Sequence, residues 1–275
     1  MSTRAQERGM DERNDLWDVI VNNDDICFKH ILPKLNQTDI KFLYDVNSET
    51  RALIKRSSRR KVLKEGFRIE EMSSISTLEI AWENRSLWPD EWDETHFCEQ
   101  VAATNKLELL KWVREEKKCE WDFRSIVEAI IQGNLEMVKY CVAKECPFDK
   151  VVCVCQYAAK FGQLEILKYL HEEVKAPWDS QTAEEAAFDG HLHILEYLVE
   201  RKYEFTKWPC VIAAEFGHFD CLKYLHETAK APWDSIVVRS AHDHNRNECL
   251  QYLLDNDCPL PEGWRYEHGE LYTLS

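Results

Sequence analysis

Paired cysteines and histidines are the first residues in this chain whose types could do chemistry. The chain has 11 cysteines and 10 histidines, and thiolates and imidazoles are ligands that zinc prefers. A histidine can also act as a general base. The close pairs are Cys141/Cys146, Cys153/Cys155, His191/His193 and His242/His244. Whether these pairs could bind a metal ion or catalyse a reaction depends on the elements that position them.

The pairs lie inside a repeated sequence unit. Residues 158–179 and 213–234 are identical at 15 of 22 positions. Positions equivalent to Leu164 recur every 27 to 29 residues, which indicates an array of stacked supersecondary units. These reference positions are Leu107, Leu135, Leu164, Leu192, Phe219 and Asn247.

Each unit is predicted to contain two helices joined by a tight turn. Apolar residues at offsets 0, 2, 3, 5 and 6 from the reference form one broad apolar helix face. Gly or Asn stands two residues before the reference, because these residues tolerate a left-handed backbone. We therefore predict an all-α fold, an α-helical solenoid of stacked helix-turn-helix repeats. The predicted turn glycines are Gly133, Gly162, Gly190 and Gly217.

The repeat register explains the cysteines and histidines without a metal ion. Cys141 fills the slot of Leu170, and Cys155 fills the slot of Ala183, so both behave as small apolar residues. His191 lies in a slot that holds Asn or Gln in other units. The phosphate-loop, zinc-protease and nucleophile-elbow motifs are absent from the sequence. We predict no catalytic residue, no metal and no cofactor.

The unit resembles the ankyrin repeat. The family carries Ala-Ala, then Gly-His or Gly-Asn, then Leu-Glu, then an apolar pair and Lys. This chain has AAKFGQLEILK, AAFDGHLHILE, AAEFGHFDCLK and, less fully, AIIQGNLEMVK. The family's Thr-Pro-Leu-His opening is absent, and the period is near 28 rather than 33, so short β-hairpin fingers are expected. The resemblance implies a protein-binding scaffold rather than an enzyme, with six repeats in 94–262, a degenerate repeat in 69–93 and a tail in 263–275.

The residues before 69 do not share the repeat register. We predict a disordered terminus over 1–15 and a helical segment over 16–68, whose basic run 55–61 is either a nuclear-import signal or a solvated helix end. The segment resembles the F-box, which implies a substrate receptor of a cullin-type ubiquitin ligase; the alternative is a helical cap for the array. The residues that would bind the ligase adaptor are Ile31, Leu35, Asp39 and Ile40.

Charge and aromatic residues indicate the kind of partner. The net charge of −15 is concentrated after residue 68, which disfavours nucleic acid and anionic membranes. No apolar run reaches the roughly 18 residues of a membrane helix. We expect a monomer that binds a basic protein partner through the concave surface of its first helices; the alternative for the acidic surface is solubility alone. Candidate contacts are Phe161, Phe188 and Phe216, unless these rings pack against the next unit. Many cysteines without an export signal predict the cytoplasm or the nucleus.

Overall fold

The computed structural model describes residues 27–35, 40, 43, 48–58, 61, 68–69, 72, 74–85, 88–148 and 154–273. Nearly all of the regular structure in these residues is helical, so the predicted all-α repeat fold is confirmed. The chain divides into two compact units, Met1–Glu120 and Trp121–Ser275. This boundary falls inside the span 94–262 that the sequence predicted as one array.

The described residues of the first unit form a short N-terminal helical region and one helix pair. Trp88 stacks on Phe97 with ring centroids 4.6 Å apart, and Trp82 contacts both rings. These aromatic side chains fill the space beside the helix pair. In chain order the elements are a π-helical turn Cys27–Ile31, a 3-10 turn Leu32–Lys34, α1 (Ser48–Arg56), α2 (Ile75–Glu83), α3 (Glu94–Ala103) and α4 (Leu107–Glu115).

In its described residues, 121–148 and 154–273, the second unit contains five helix pairs and a C-terminal β-hairpin. The last helix of the second pair, α8, continues into a π-helical turn, Tyr169–Glu173. The elements are α5 (Phe123–Ile131), α6 (Leu135–Ala143), α7 (Val154–Lys160), α8 (Leu164–Lys168), α9 (Ser180–Phe188), α10 (Leu192–Glu200), α11 (Trp208–Phe216), α12 (Phe219–Glu227), α13 (Ser235–Asp243), α14 (Asn247–Asp255), β1 (Arg265–Glu267) and β2 (Glu270–Tyr272).

Neighbouring pairs in the second unit stack in two layers. Each first helix packs on the first helix of the next pair, in the order α5, α7, α9, α11, α13, and the second helices do the same. The alanines at the centre of the first helices are fully buried, and their small side chains let the helices approach closely. Each buried Leu of the second helices contributes about 1.5–3 kcal/mol through the apolar surface it removes from water.

The helix ends follow the sequence signals. Every reference residue of the repeat is the first residue of a second helix. Asp122, Asp179 and Asp234 each accept a hydrogen bond from the backbone amide two residues further on, which satisfies an amide that has no partner within the helix. Asp179 also forms a capping box with Thr182. Thr206 accepts from the amide of Trp208, although Lys207 is the capping residue.

Each turn between two helices carries contacts to the next repeat. The φ angles of the four turn glycines are 68°, 65°, 73° and 78°. The residue before the next reference lies against the preceding glycine in all four turns. In the last three turns this residue also bonds to a carbonyl oxygen at the end of the preceding first helix. His191 Nε2 lies 2.9 Å from the Lys160 oxygen, and His218 Nε2 lies 2.8 Å from the Phe188 oxygen. These histidines therefore have a structural role between repeats.

The C-terminal residues fold onto the last helix pair. Trp264 lies against His242 of α13, with ring centroids 4.7 Å apart. Gln251 of α14 donates to the Tyr266 hydroxyl at 3.0 Å. The segment predicted as a tail thus includes a β-hairpin that covers the end of the stack.

Candidate partner-binding face

The cysteines of the helix pairs are buried rather than arranged for metal binding. Cys146 Sγ donates to the Asp122 carbonyl oxygen at 3.2 Å, and Cys258 Sγ does the same to Asp234 at 3.6 Å. Burial raises the pKa of Cys210 to about 12, which keeps that thiol protonated. Within the described ranges, no group of three or more His, Cys, Asp or Glu side chains is placed to hold a metal ion. Cys153 lies outside those ranges.

The first helices share one exposed face. Positions i, i+3, i+4 and i+7 of a helix point to the same side, and in the first helices these positions point away from the second-helix layer. We call this surface the first-helix face. Its residues are Gln156, Tyr157 and Lys160 on α7 with Phe161 directly after it, Gln181, Glu184, Glu185 and Phe188 on α9, Trp208, Ile212, Glu215 and Phe216 on α11, and Ile236, Arg239, Ser240 and Asp243 on α13.

The three predicted phenylalanines lie at one end of this face. Phe161 and Phe188 are each 38% exposed, and Phe216 is half-buried. The Phe188 and Phe216 rings are 4.2 Å apart, and the Lys160 ammonium lies 5.4 Å from the Phe188 ring centre. Phe188 therefore packs against the next repeat and still offers surface to a partner. The packing alternative is thus observed for Phe188, and its contact with a partner stays a prediction.

Carboxylates occupy the centre of the face. Lys160 pairs with Glu185 at 3.1 Å, and His244 lies 3.6 Å from Glu215. Glu184 is half-buried, and within the described part of the chain no hydrogen bond or ion pair reaches its carboxylate. Burial, with the nearby acids Asp179 and Glu185, raises the pKa of Glu184. Among the described residues, Glu184 is thus a carboxylate without a cationic partner.

Sequence reasoning missed two apolar residues at the opposite end of the face. Trp208 is 46% exposed and Ile236 is 38% exposed. Each of these two residues stands nine positions before the glycine or asparagine of its turn. Two other repeats have Arg124 and Gln181 at this position. A tabulation of this variable slot would have shown both. The face therefore has apolar side chains at both ends and acids between them.

The residues predicted to bind a ligase adaptor are only partly described. Ile31 and Leu35 are half-buried, Ile40 is fully buried, and Asp39 lies outside the described residues. A fully buried Ile40 offers no surface to an adaptor in this conformation. The F-box resemblance of 16–68 stays a prediction.

A cleft of about 660 Å³ opens beside the loops that follow the second helices. The His171 ring stacks on Trp178 at 3.5 Å, and Glu172 accepts hydrogen bonds from Tyr197 and Arg201. These bonds lower the pKa of Glu172, with Arg201 the larger cause. Because Glu172 and Arg201 belong to neighbouring repeats and pair with each other, this contact holds the two repeats together.

The equivalent loop of the repeat that begins at Phe219 has the same stacked pair but different hydrogen bonds. His226 stacks on Trp233 at 3.6 Å, and its Nδ1 lies 2.9 Å from the Tyr252 hydroxyl. That hydroxyl donates to Glu227 at 3.2 Å. The tyrosine of one second helix therefore joins two residues of the preceding one.

Taken together, the stacked helix pairs and the exposed first-helix face define a helical-repeat protein. A family model described as ankyrin repeats (many copies) matches residues 126–181. The ankyrin resemblance is therefore confirmed for this stretch, and ankyrin repeats are typically interaction modules rather than enzymes.

Among solved structures, the human ASB11 ankyrin repeat domain is similar at 20% sequence identity and a TM-score of 0.47. That match covers 57% of this chain and 82% of the ASB11 chain. The search of curated proteins found no match. Separately, none of the helices in the described residues has the length and apolar character to cross a membrane.

Proposed function

We propose that this chain is a protein-interaction scaffold without catalytic activity and that the first-helix face is its binding surface. The observation that supports this is the exposure of Phe161, Phe188 and Trp208 on a layer of helices whose other faces are packed. Large apolar side chains on a rigid surface are typical binding hot spots. The acids between them favour a basic partner.

The scaffold proposal is tested by comparing full-length variants in affinity purification from lysate. We expect the triple change Phe161→Ser, Phe188→Ser and Phe216→Ser to lose the proteins that the unchanged chain retains. The control is Tyr272→Ser, which removes an exposed aromatic residue from the hairpin, away from the first-helix face. If the triple variant melts normally and retains every protein, the face is not the binding surface.

A substrate receptor of a cullin-type ubiquitin ligase is the second candidate. Its support is the F-box-like motif, of which Ile31 and Leu35 retain partial exposure. In this case the same purification recovers a Skp-type adaptor and a cullin. The double change Ile31→Ala and Leu35→Ala would remove both while the proteins bound to the first-helix face remain. Recovery of no ligase component would leave the helical cap as the role of residues 16–68.

A further inference from the structure

We infer that the first-helix face binds one basic amphipathic helix of a partner, seated along α9 and α11, with a Lys or Arg side chain on Glu184 and apolar side chains at both ends. This inference rests on the proposed function and specifies the partner. Two features of the face support it: exposed apolar side chains at both ends, and between them a carboxylate that no cation of the described residues reaches.

The distance between the two apolar ends of the face determines which positions of a partner helix should be apolar. Trp208 and Phe216 are the first and last residues of α11, so their backbones are about 12 Å apart at 1.5 Å per residue. Phe188 lies beside Phe216, at the same end. A partner helix matches this distance with apolar residues at i and i+7 or i+8, which lie on one side of a helix.

The central acids set the charge of the partner. Glu184 lies three residues after Gln181 in α9, and Gln181 fills the slot that Trp208 fills in α11, so the carboxylate stands between the two apolar ends. Glu185 already has Lys160. A partner cation at i+3 or i+4 would therefore meet Glu184 rather than its neighbour. A charge-assisted hydrogen bond there would be stronger than one between neutral groups.

The face favours a helix over an extended peptide. It consists of α-helices, whose backbone groups in mid-helix are bonded within each helix, so it has no free strand edge for an extended peptide to pair with. An extended segment would leave its own amides and carbonyls without partners over the apolar ends. A helix satisfies its backbone internally and presents only side chains.

The test selects peptides on the full chain from a display library of 18-residue random sequences. We expect enriched sequences to carry apolar residues at i and i+7 or i+8 with Lys or Arg between them. Synthetic copies should become helical on binding, seen by circular dichroism, and affinity is measured by fluorescence anisotropy. Glu184→Gln and Trp208→Ser should each weaken binding about tenfold. The controls Glu196→Gln and Tyr272→Ser should change it less than twofold.

The outcomes separate this inference from the proposed function. Enriched peptides that bind the Phe188→Ser variant more weakly would support the first-helix face as the binding surface. If those peptides bind in an extended form, or carry no basic residue, the inference of a basic helical partner is overturned. Binding that is unchanged by Glu184→Gln would also overturn the inference. If no peptide is enriched, or if the enriched peptides bind every face variant as well as the unchanged chain, both the inference and the proposed function fail.

Discussion

Neighbouring residues of the same type have different roles in this protein because their surroundings differ. Glu185 pairs with Lys160, whereas the neighbouring Glu184 is half-buried and lies near the acids Asp179 and Glu185. A carboxylate held in that way favours protonation in the folded state. Such a group opposes folding at neutral pH, which is common where a surface is shaped for binding rather than for stability.

Replacing Glu184 by Gln should change how stability depends on pH. Because the folded chain binds this proton more readily than the unfolded chain, the free energy of unfolding falls as pH rises through 4.5 and the raised pKa. Glu184→Gln removes that loss, so we expect equal or higher stability at pH 7 and no gain at pH 4. Urea unfolding at both pH values measures this, with Glu196→Gln as control. Lower stability at pH 7 would mean that the carboxylate has a favourable partner.

Gly190 is predicted to be sensitive for two reasons that a second glycine can separate. Its φ is +73°, and an added Cβ would lie 2.6 Å from His218. Gly269 has φ +83° but nothing within 4 Å of that position. Gly190→Ala should cost about 2 kcal/mol or more, and Gly269→Ala about 1 kcal/mol, because only the first also displaces the histidine. Chemical denaturation checks this, and equal costs would exclude a packing role for His218.

At the scale of elements, the sequence determines where the second helices begin because each position has one physical task. The reference residues open those helices, and glycine or asparagine adopts a left-handed backbone before them. The bonds from His191 and His218 to the preceding repeat were not predictable from spacing, because they depend on how far apart adjacent repeats stack. The β-hairpin after residue 264 was missed because its strands are only three residues long.

Leu167 tests the apolar face of the second helices. The side chain is fully buried in α8, so Leu167→Ala removes buried apolar surface and leaves a cavity. We expect the free energy of unfolding to fall by about 2–5 kcal/mol. Leu164→Ala, at the half-buried first position of the same helix, should cost less. Equal melting temperatures for the unchanged chain and Leu167→Ala would contradict the core assignment.

The Tyr252 hydroxyl tests the bond between neighbouring second helices. It bridges His226 and Glu227, and burial together with Glu227 raises the pKa of Tyr252 to about 12. Tyr252→Phe should lower stability by about 1 kcal/mol. Tyr224→Phe is the matched control, since within the described residues that hydroxyl has no hydrogen-bond partner. A cost for the control that equals the cost for Tyr252→Phe would point to ring packing rather than the bridge.

At the scale of the whole molecule, the repeat register fixes the fold and leaves the exposed positions free. That is why the helix pairs of the second unit were predictable from the sequence, whereas the exposure of Trp208 and the lack of a cation beside Glu184 required the structure. Trp208 becomes part of a surface only when α9 and α13 stand on either side of it. The exposure of a side chain on this face therefore depends on how neighbouring repeats pack, and the sequence of one repeat does not determine it.

The stacking of the helix pairs also predicts which part of the second unit unfolds first. The main packing contacts of each pair are with the neighbouring pairs, so the end of such an array can unfold without its centre. Leu253→Ala, in the last second helix, should speed amide hydrogen exchange in α13 and α14 while leaving α7 and α9 protected. Leu195→Ala, equally buried but central in α10, should speed exchange on both sides of the change. Hydrogen-exchange mass spectrometry distinguishes the two. Uniform acceleration by both variants would show instead that the five pairs unfold as one cooperative block.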